Sequence, residues 1–283
     1  MREAVRARID LPFALKLVRA LHVRPDAEAP EDWPWPVRLY VLGSFSLLRE
    51  GEPVEFPRKA QKRPLALLKA LLAFGGQGVD GATLAHALWP DAEADDAQDS
   101  LTMAVHRLRK LLGDESAILV RDGKCSLNSE VIWTDVWALE RVLAAIDARP
   151  AEGAELEAHL RALQHLYRGH FLEYDAQEAW LLPTQQRLRA RVQRAILRLG
   201  EGLEAAGNWA GAAALYQRGI ELDAVAESLY RRLMKCHHEL GHAAQVVAVY
   251  RQLCKMLSAI LASAPSAETD ALYASFTRRE GIR

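Results

Sequence analysis

The chain has 283 residues, of which 50% are hydrophobic and 26% charged, and its formal net charge is −1. This composition is typical of a soluble globular protein, and the length is enough for two domains of ordinary size. The balanced charge excludes a polycation that coats nucleic acid along its whole length. No apolar run approaches 18 residues, so the sequence predicts no membrane span. Three scattered cysteines exclude a disulfide framework and favour a cytoplasmic protein.

The first 36 residues divide into a helical pattern and a linker. Apolar residues recur at Val5, Ile9, Phe13, Leu17 and Leu21. The segment PDAEAPEDWPWP at 25–36 contains four prolines, which is typical of a linker. We therefore predict an N-terminal arm and linker over residues 1–36, with Trp33 and Trp35 packed on the next domain.

A strand-rich segment follows the linker. Val37–Leu48 reads VRLYVLGSFSLL, is rich in β-forming residues, and is interrupted at Gly43-Ser44. A turn at 50–53 and a short apolar run, Val54–Phe56, come next. This pattern predicts two or three antiparallel strands.

Two helical patterns and a short strand occupy residues 61–88. Gln61–Phe74 has proline in its first turn and ends at Gly75-Gly76, as expected for a helix. Val79-Asp80 predicts a short bridging strand. Thr83–Leu88 predicts a second, short helix that ends at Trp89-Pro90.

A longer amphipathic helix is predicted between Asp95 and Gly113. Apolar residues fall at Ala97, Leu101, Ala104, Val105, Leu108, Leu111 and Leu112, which is helical spacing. We predict Asp95 as the N-cap, with Gln98 completing a capping box, and Gly113 as the C-terminal stop. The opposite face carries Asp99, Met103, His106, Arg107 and Lys110, with Thr102 and Arg109 at its flanks.

A hairpin comes after this helix. Ile118–Arg121 and Lys124–Leu127 are joined by Asp122-Gly123, a dipeptide typical of a two-residue β-turn. Val131–Trp133 predicts one more strand. The order of sheet, helix, short strand, two helices and hairpin is that of a winged helix-turn-helix.

The rest of the chain has a helical pattern with an internal repeat. Predicted helices cover Val136–Ala148, which Asp135 caps, Leu156–Tyr167 and Arg187–Ala206. Five pairs of similar residues are separated by 34 positions: Leu199 and Leu233, Gly207 and Gly241, Ala210 and Ala244, Tyr216 and Tyr250, and Leu222 and Met256. A 34-residue period is that of tetratricopeptide repeats. The predicted fold class is therefore mainly α, with an N-terminal α+β winged helix-turn-helix and an all-α tetratricopeptide-like repeat domain.

Several of these segments resemble one family of regulators. GSFSLLREGEPVEF, RKAQKRPLALLKALLAFGG, LAHALWPDAE and HRLRKLLG, with ALQHLYRGHFL further on, resemble the bacterial transcriptional activator domain (BTAD) regulators. These include the antibiotic regulatory proteins (SARP) and MalT-like regulators, which have an OmpR-type winged helix. The resemblance covers about residues 37–276. One departure is at the wing, where many relatives have Gly-Tyr and this chain has Gly123-Lys124.

The resemblance implies a DNA-binding transcriptional regulator that activates transcription. It implies a winged domain at 37–135 whose helix 96–112 enters the major groove of double-stranded DNA and whose wing near 121–124 contacts the backbone or minor groove. The candidate DNA-binding residues are Thr102, His106, Arg107, Arg109, Lys110, Arg121 and Lys124. The repeat domain at 136–283 is expected to bind a protein partner or a second copy of the chain.

The acidic residues beside the predicted recognition helix leave an alternative open. Residues 37–135 contain 12 Lys and Arg against 14 Asp and Glu, so this domain is not basic overall. Asp91, Glu93, Asp95, Asp96 and Asp99 cluster at the turn before the helix. In OmpR-type regulators this turn contacts RNA polymerase, and the resemblance implies the same contact here. The alternative is a protein-interaction adaptor whose winged domain has lost DNA binding.

An enzyme is not predicted. No GxxxxGK[ST] phosphate-binding loop and no GxSxG elbow occur in the sequence. Cys236, His237, His238, His242 and Cys254 match no compact zinc pattern and are interpreted as packing residues. We therefore predict no catalytic residue, no cofactor and no metal.

Overall fold

The computed structural model describes residues 10–21, 23, 25, 29–56, 62–175 and 178–279. The chain forms two compact units, Met1–Ala138 with Arg168–Gln186, and Leu139–Tyr167 with Arg187–Arg283. The functional domains expected at 37–135 and 136–283 stay a prediction, because a compact unit is not by itself a functional domain. Residues 168–186 return to the first unit, which the sequence pattern did not indicate.

The first unit begins with the predicted N-terminal helix, α1 (Leu11–Ala20). The rest of the predicted arm, residues 1–9, lies outside the described residues. Trp33 and Trp35 are buried in this unit, and the Trp35 indole donates a hydrogen bond to the Pro30 carbonyl. Both tryptophans therefore fix the linker, as predicted from its sequence.

A four-stranded sheet follows, built from β1 (Val37–Tyr40), β2 (Ser46–Arg49), β3 (Glu52–Pro53) and, later in the chain, β7 (Ile132–Thr134). The strands lie in the order β3-β2-β1-β7. The first three are antiparallel, which confirms the predicted N-terminal strands, while β7 pairs in parallel with β1. The parallel pairing brings the end of the winged region back beside its beginning.

Three helices and a second sheet complete the winged region. The helices are α2 (Lys62–Ala73), α3 (Gly81–Leu88) and α4 (Ala94–Leu112), and all three pack on one another. The predicted start of α2 at Gln61 lies outside the described residues. The second sheet has the order β4-β6-β5, with β4 (Val79–Asp80), β5 (Ile118–Arg121) and β6 (Lys124–Leu127). This arrangement confirms the predicted winged helix-turn-helix.

The helices that follow the wing are α5 (Asp135–Ala148), α6 (Gly153–Leu166), α7 (Leu182–Ala205), α8 (Trp209–Leu222), α9 (Glu227–Glu239), α10 (Ala243–Leu261) and α11 (Ala267–Arg279). Short 3₁₀ turns at Glu173–Asp175 and Ala179–Leu181 precede α7. Within the described ranges, no helix is both long enough and apolar enough to cross a lipid bilayer.

The 34-residue period appears in the backbone as well as in the sequence. Gly207 and Gly241 both have a φ of 73°, in the left-handed region that favours glycine. Each lies in the short turn between two packed helices, α7 with α8 and α9 with α10. Tyr216 is fully buried where a side chain on Gly200 would collide with its ring. The sequence repeat therefore corresponds to helix pairs with equivalent turns, which confirms the tetratricopeptide-like fold.

Candidate nucleic-acid interface

Helix α4 buries one face and exposes the other. Its buried side chains are Ala97, Leu101, Ala104, Val105, Leu108 and Leu112. Five side chains of the predicted outer face are exposed: Asp99, Met103, His106, Arg107 and Lys110. Thr102 is also exposed, and its hydroxyl donates to the Gln98 carbonyl of the previous turn. The helix can therefore present these side chains to a ligand without unpacking.

The start of α4 differs from the expectation. Glu93, not Asp95, is the N-cap, and its side chain makes no capping hydrogen bond. Asp95 and Asp96 lie instead in the first turn, where negative charge favours the helix dipole. The predicted capping box of Asp95 and Gln98 is therefore wrong, because the helix begins about half a turn earlier. The end is as predicted, with Gly113 in the left-handed conformation at a φ of 76°.

The wing is a tight hairpin with two cations at its tip. Asp122 and Gly123 have φ values of 49° and 72°, the pair of positive angles that a type I′ turn requires. Arg121 and Lys124 are direct cross-strand partners on either side of this turn, and both are exposed. Like charges at directly opposed positions destabilise a hairpin slightly. An anionic ligand would relieve this repulsion.

Arg109 lies between α4 and the wing. Its Nε and Nη2 both donate to the Ile118 carbonyl at the start of β5, at 3.1 and 2.7 Å. The side chain is only partly exposed. The sequence placed Arg109 among the DNA-binding candidates, yet two of its five N–H donors are directed at the protein backbone. Its geometry is that of a residue that positions the wing.

The tip of the wing is also attached to α3. The Gly81 amide donates to the Gly123 carbonyl at 2.9 Å, and a Cβ added at Gly81 would lie 2.8 Å from the same oxygen. Only glycine permits this approach, because a real Cβ contact does not come this close. The hairpin is therefore held at its base by Arg109 and at its tip by Gly81.

Four cations of the interface have no ion-pair partner among the residues that the structure describes. Among the described residues, no carboxylate lies within ion-pair distance of Arg107, Lys110, Arg121 or Lys124. The helical second unit differs, since its ion pairs occupy many cations: Arg187 with Glu140, Arg189 with Asp223, Arg191 and Arg198 with Asp147, Arg231 with Glu268, Arg232 with Glu201, and Lys235 with Glu204. Unpaired positive charge is therefore available on α4 and on the wing.

The acidic cluster lies directly before this surface. Asp91, Glu93, Asp95, Asp96 and Asp99 are all exposed. In the part of the chain that the structure covers, none of these five carboxylates has an ion-pair or hydrogen-bond partner. Negative and positive charges thus occupy successive turns of one helix and its preceding loop.

A buried carboxylate joins the first sheet to α5. The carboxylate of Asp135 accepts hydrogen bonds at 3.0 Å from the amides of Val41 and Leu42. Burial raises the pKa of Asp135 to about 6, and these amides limit the rise by stabilising the charged form. The sequence predicted Asp135 as the cap of this helix. In the structure Asp135 is the first residue of α5, and its carboxylate is bonded to the amides of the two residues that directly follow β1.

Comparison with known proteins bears on both the helical region and the fold. A family model described as bacterial transcriptional activator domain matches residues 134–276, about half of the chain. No curated protein matches the sequence at a significant level.

Among solved structures, the chain is similar to Mycobacterium tuberculosis EmbR in complex with a low-affinity phosphopeptide. The TM-score is 0.66 at 20% sequence identity, and the match covers 86% of this chain and 65% of that chain. The likeness at this identity establishes a common fold, and the chain spans just under two thirds of the EmbR chain.

Proposed function

The chain belongs to the bacterial transcriptional activator domain family, and on this basis we propose that it is a DNA-binding transcriptional regulator that activates transcription in the bacterial cytoplasm. In this proposal α4 enters the major groove of promoter DNA and the wing contacts the adjacent backbone or minor groove. Thr102, His106, Arg107 and Lys110 are the proposed groove contacts. Arg121 and Lys124 are the proposed wing contacts.

The unpaired cations of α4 and the wing are the observation that carries this proposal. Phosphate contacts supply much of the affinity of DNA-binding proteins, and they need cations that are not already neutralised. Four such side chains lie on the two elements that a winged helix presents to DNA. We retain Arg109 in the interface as a positioning residue, since its guanidinium is bonded to Ile118.

A gel shift with promoter DNA tests the proposal. We expect retardation at low salt that weakens at moderate salt, because phosphate binding releases counterions. Lys110→Ala should weaken the complex. Arg189→Ala is the matched control, because Arg189 is an exposed cation already paired with Asp223. Equal retardation by the wild type and Lys110→Ala would remove α4 as the DNA-contacting helix.

The acidic cluster favours a second function, that of a protein-interaction adaptor. Its five unpaired carboxylates oppose the approach of phosphate, and residues 37–135 carry slightly more acidic than basic side chains. An adaptor would bind a protein partner through this surface and show no salt-dependent retardation of DNA. The same gel shift therefore separates the two functions.

Within the regulator we propose that the acidic cluster contacts RNA polymerase. Asp91→Asn with Glu93→Gln removes two of its charges and leaves Asp95 and Asp96, which favour the helix dipole. If the cluster contacts polymerase, this double variant should bind DNA as well as or better than the wild type and activate transcription less. Tighter DNA binding with undiminished transcription would mean that the cluster only repels phosphate.

We also propose that the helical unit binds a protein partner or a second copy of the chain. Ile260 and Leu261, at the end of α10, are both more than half exposed. EmbR, which shares the fold over 65% of its chain, has been solved in complex with a phosphopeptide. A molar mass measured by light scattering distinguishes a monomer from a dimer, and Ile260→Ser with Leu261→Ser should abolish a dimer formed through this patch.

A further inference from the structure

Two large apolar side chains are exposed in the described part of residues 37–135. They are Met103, which is 52% exposed, and Val120, which is 49% exposed. Met103 lies on the outer face of α4 and Val120 on the wing strand β5. A single exposed apolar residue needs no explanation. Here both lie on the elements proposed to contact DNA, which suggests that a ligand covers them.

Met103 has the central position on the outer face of α4. With about 100° between successive residues, Arg107 and Lys110 each fall within about 40° of it around the helix axis. The buried stripe lies on the opposite side, and Ala104 and Val105 belong to it. If the cations on either side approach the two phosphate backbones, Met103 is the side chain directed at the floor of the groove.

The chemistry of the thioether restricts what it can contact there. Methionine has no strong hydrogen-bond donor or acceptor. The base edges of the major groove offer donors and acceptors, and one apolar group, the C5-methyl of thymine. Methionine placed against a polar edge would leave that edge without water or a partner, which is unfavourable. Placed against a thymine methyl, the methionine side chain removes apolar surface from water and leaves no polar group without a partner.

We propose that Met103 is a specificity-determining residue that contacts the C5-methyl group of one thymine in the target site. This inference rests on the proposed function, because it requires α4 to lie in the major groove. It adds a class of target sequence, namely sites with thymine at the position facing the centre of α4.

The test removes single methyl groups from the DNA. Preferred duplexes are first selected from a random pool with the full-length protein, and each thymine of the selected site is then replaced by deoxyuridine, one at a time. One replacement should weaken binding about fourfold, the affinity equivalent of one buried methyl group. The Met103→Gln variant should bind the duplex with thymine and the duplex with uracil at that position with equal affinity.

Two controls separate the contact from a general loss of binding. Met103→Leu keeps an apolar side chain and should keep the sensitivity to uracil. Leu182→Gln alters an exposed apolar residue outside α4 and the wing and should leave the uracil profile unchanged.

The outcomes distinguish this inference from the function on which it rests. Failure to select any sequence would overturn both. A selected sequence in which no thymine is sensitive to uracil would overturn the role of Met103 and leave DNA binding intact. The role of Met103 would also be overturned if the Met103→Gln variant still lost as much affinity as the wild type when uracil replaces thymine.

Discussion

Arg109 connects the two elements of the proposed interface through its hydrogen bonds to the Ile118 carbonyl. We predict that Arg109→Lys lowers the free energy of unfolding by about 1–3 kcal/mol, because lysine keeps the charge but cannot reproduce the paired donors. DNA affinity should fall too, since the wing loses its support. Denaturant titration and gel shift measure both quantities.

Lys110→Arg is the matched control for this prediction. Lys110 is exposed and lies beside Arg109 in the sequence, so exchanging one cation for another there should change stability little. If Arg109→Lys changed neither the free energy of unfolding nor the DNA affinity, the positioning role of Arg109 would be refuted.

Asp135 predicts a pH dependence of stability. Its pKa rises from 3.8 to about 6 on folding, so between these values the folded state holds more protons than the unfolded state. The contribution of Asp135 to stability is therefore full below about pH 4 and declines as the pH rises through 6. At about 1.4 kcal/mol for each pKa unit, the decline approaches about 3 kcal/mol.

The difference in unfolding free energy between the wild type and Asp135→Asn isolates this contribution. We expect the difference, wild type minus variant, to fall between pH 4 and 6.5 and to be flat at higher pH. A difference that is constant over this range would show that Asp135 does not titrate with a raised pKa.

Single residues of the interface were predictable from the sequence only in part. The helical spacing of the apolar residues correctly placed Thr102, His106, Arg107 and Lys110 on an exposed face. The partner of Arg109 was not predictable, because the Ile118 carbonyl is a backbone group that any residue type would supply. The N-cap was misplaced because carboxylates in the first turn favour the helix dipole and so resemble caps.

At the scale of elements, the contact between α3 and the wing sets where the hairpin tip lies. We predict that Gly81→Ala destabilises the protein by about 1–3 kcal/mol, because its Cβ would meet a backbone oxygen that cannot turn away. The displaced wing should also weaken DNA binding. Ala82→Ser, at the adjacent exposed position, is the control and should be nearly neutral in both assays.

The prediction would be contradicted if the Gly81→Ala variant had the stability and the DNA affinity of the wild type. Such a result would mean that the wing does not depend on its contact with α3.

Elements defined by local sequence were predicted well, and those defined by distant pairing were not. The hairpin was correct because its Asp122-Gly123 turn is a local signal. A strand was expected at Val131–Trp133 and lies at Ile132–Thr134, but its parallel pairing with β1 links residues about 95 positions apart. No local pattern specifies such a pairing.

At the scale of the molecule, attraction of DNA must come from local groups of cations and not from the net charge. The net charge of −1 gives no long-range attraction for DNA. The 34-residue period predicted the helical repeats, because equivalent turns need equivalent residues such as Gly207 and Gly241. The return of residues 168–186 to the first unit was not predicted, since it depends on contacts such as the Leu172 amide with the Val41 carbonyl.

The salt dependence of promoter binding tests the central claim most directly. If Arg107, Lys110, Arg121 and Lys124 each contact a phosphate, log K should fall with log salt with a slope of about −3 to −4 for each bound chain. The double variant Arg121→Gln with Lys124→Gln should make the slope shallower by about two. The control, Arg187→Gln with Arg189→Gln, removes cations already paired in the helical unit and should leave the slope unchanged. A slope near zero, or one that the wing variant leaves unchanged, would contradict DNA binding by α4 and the wing.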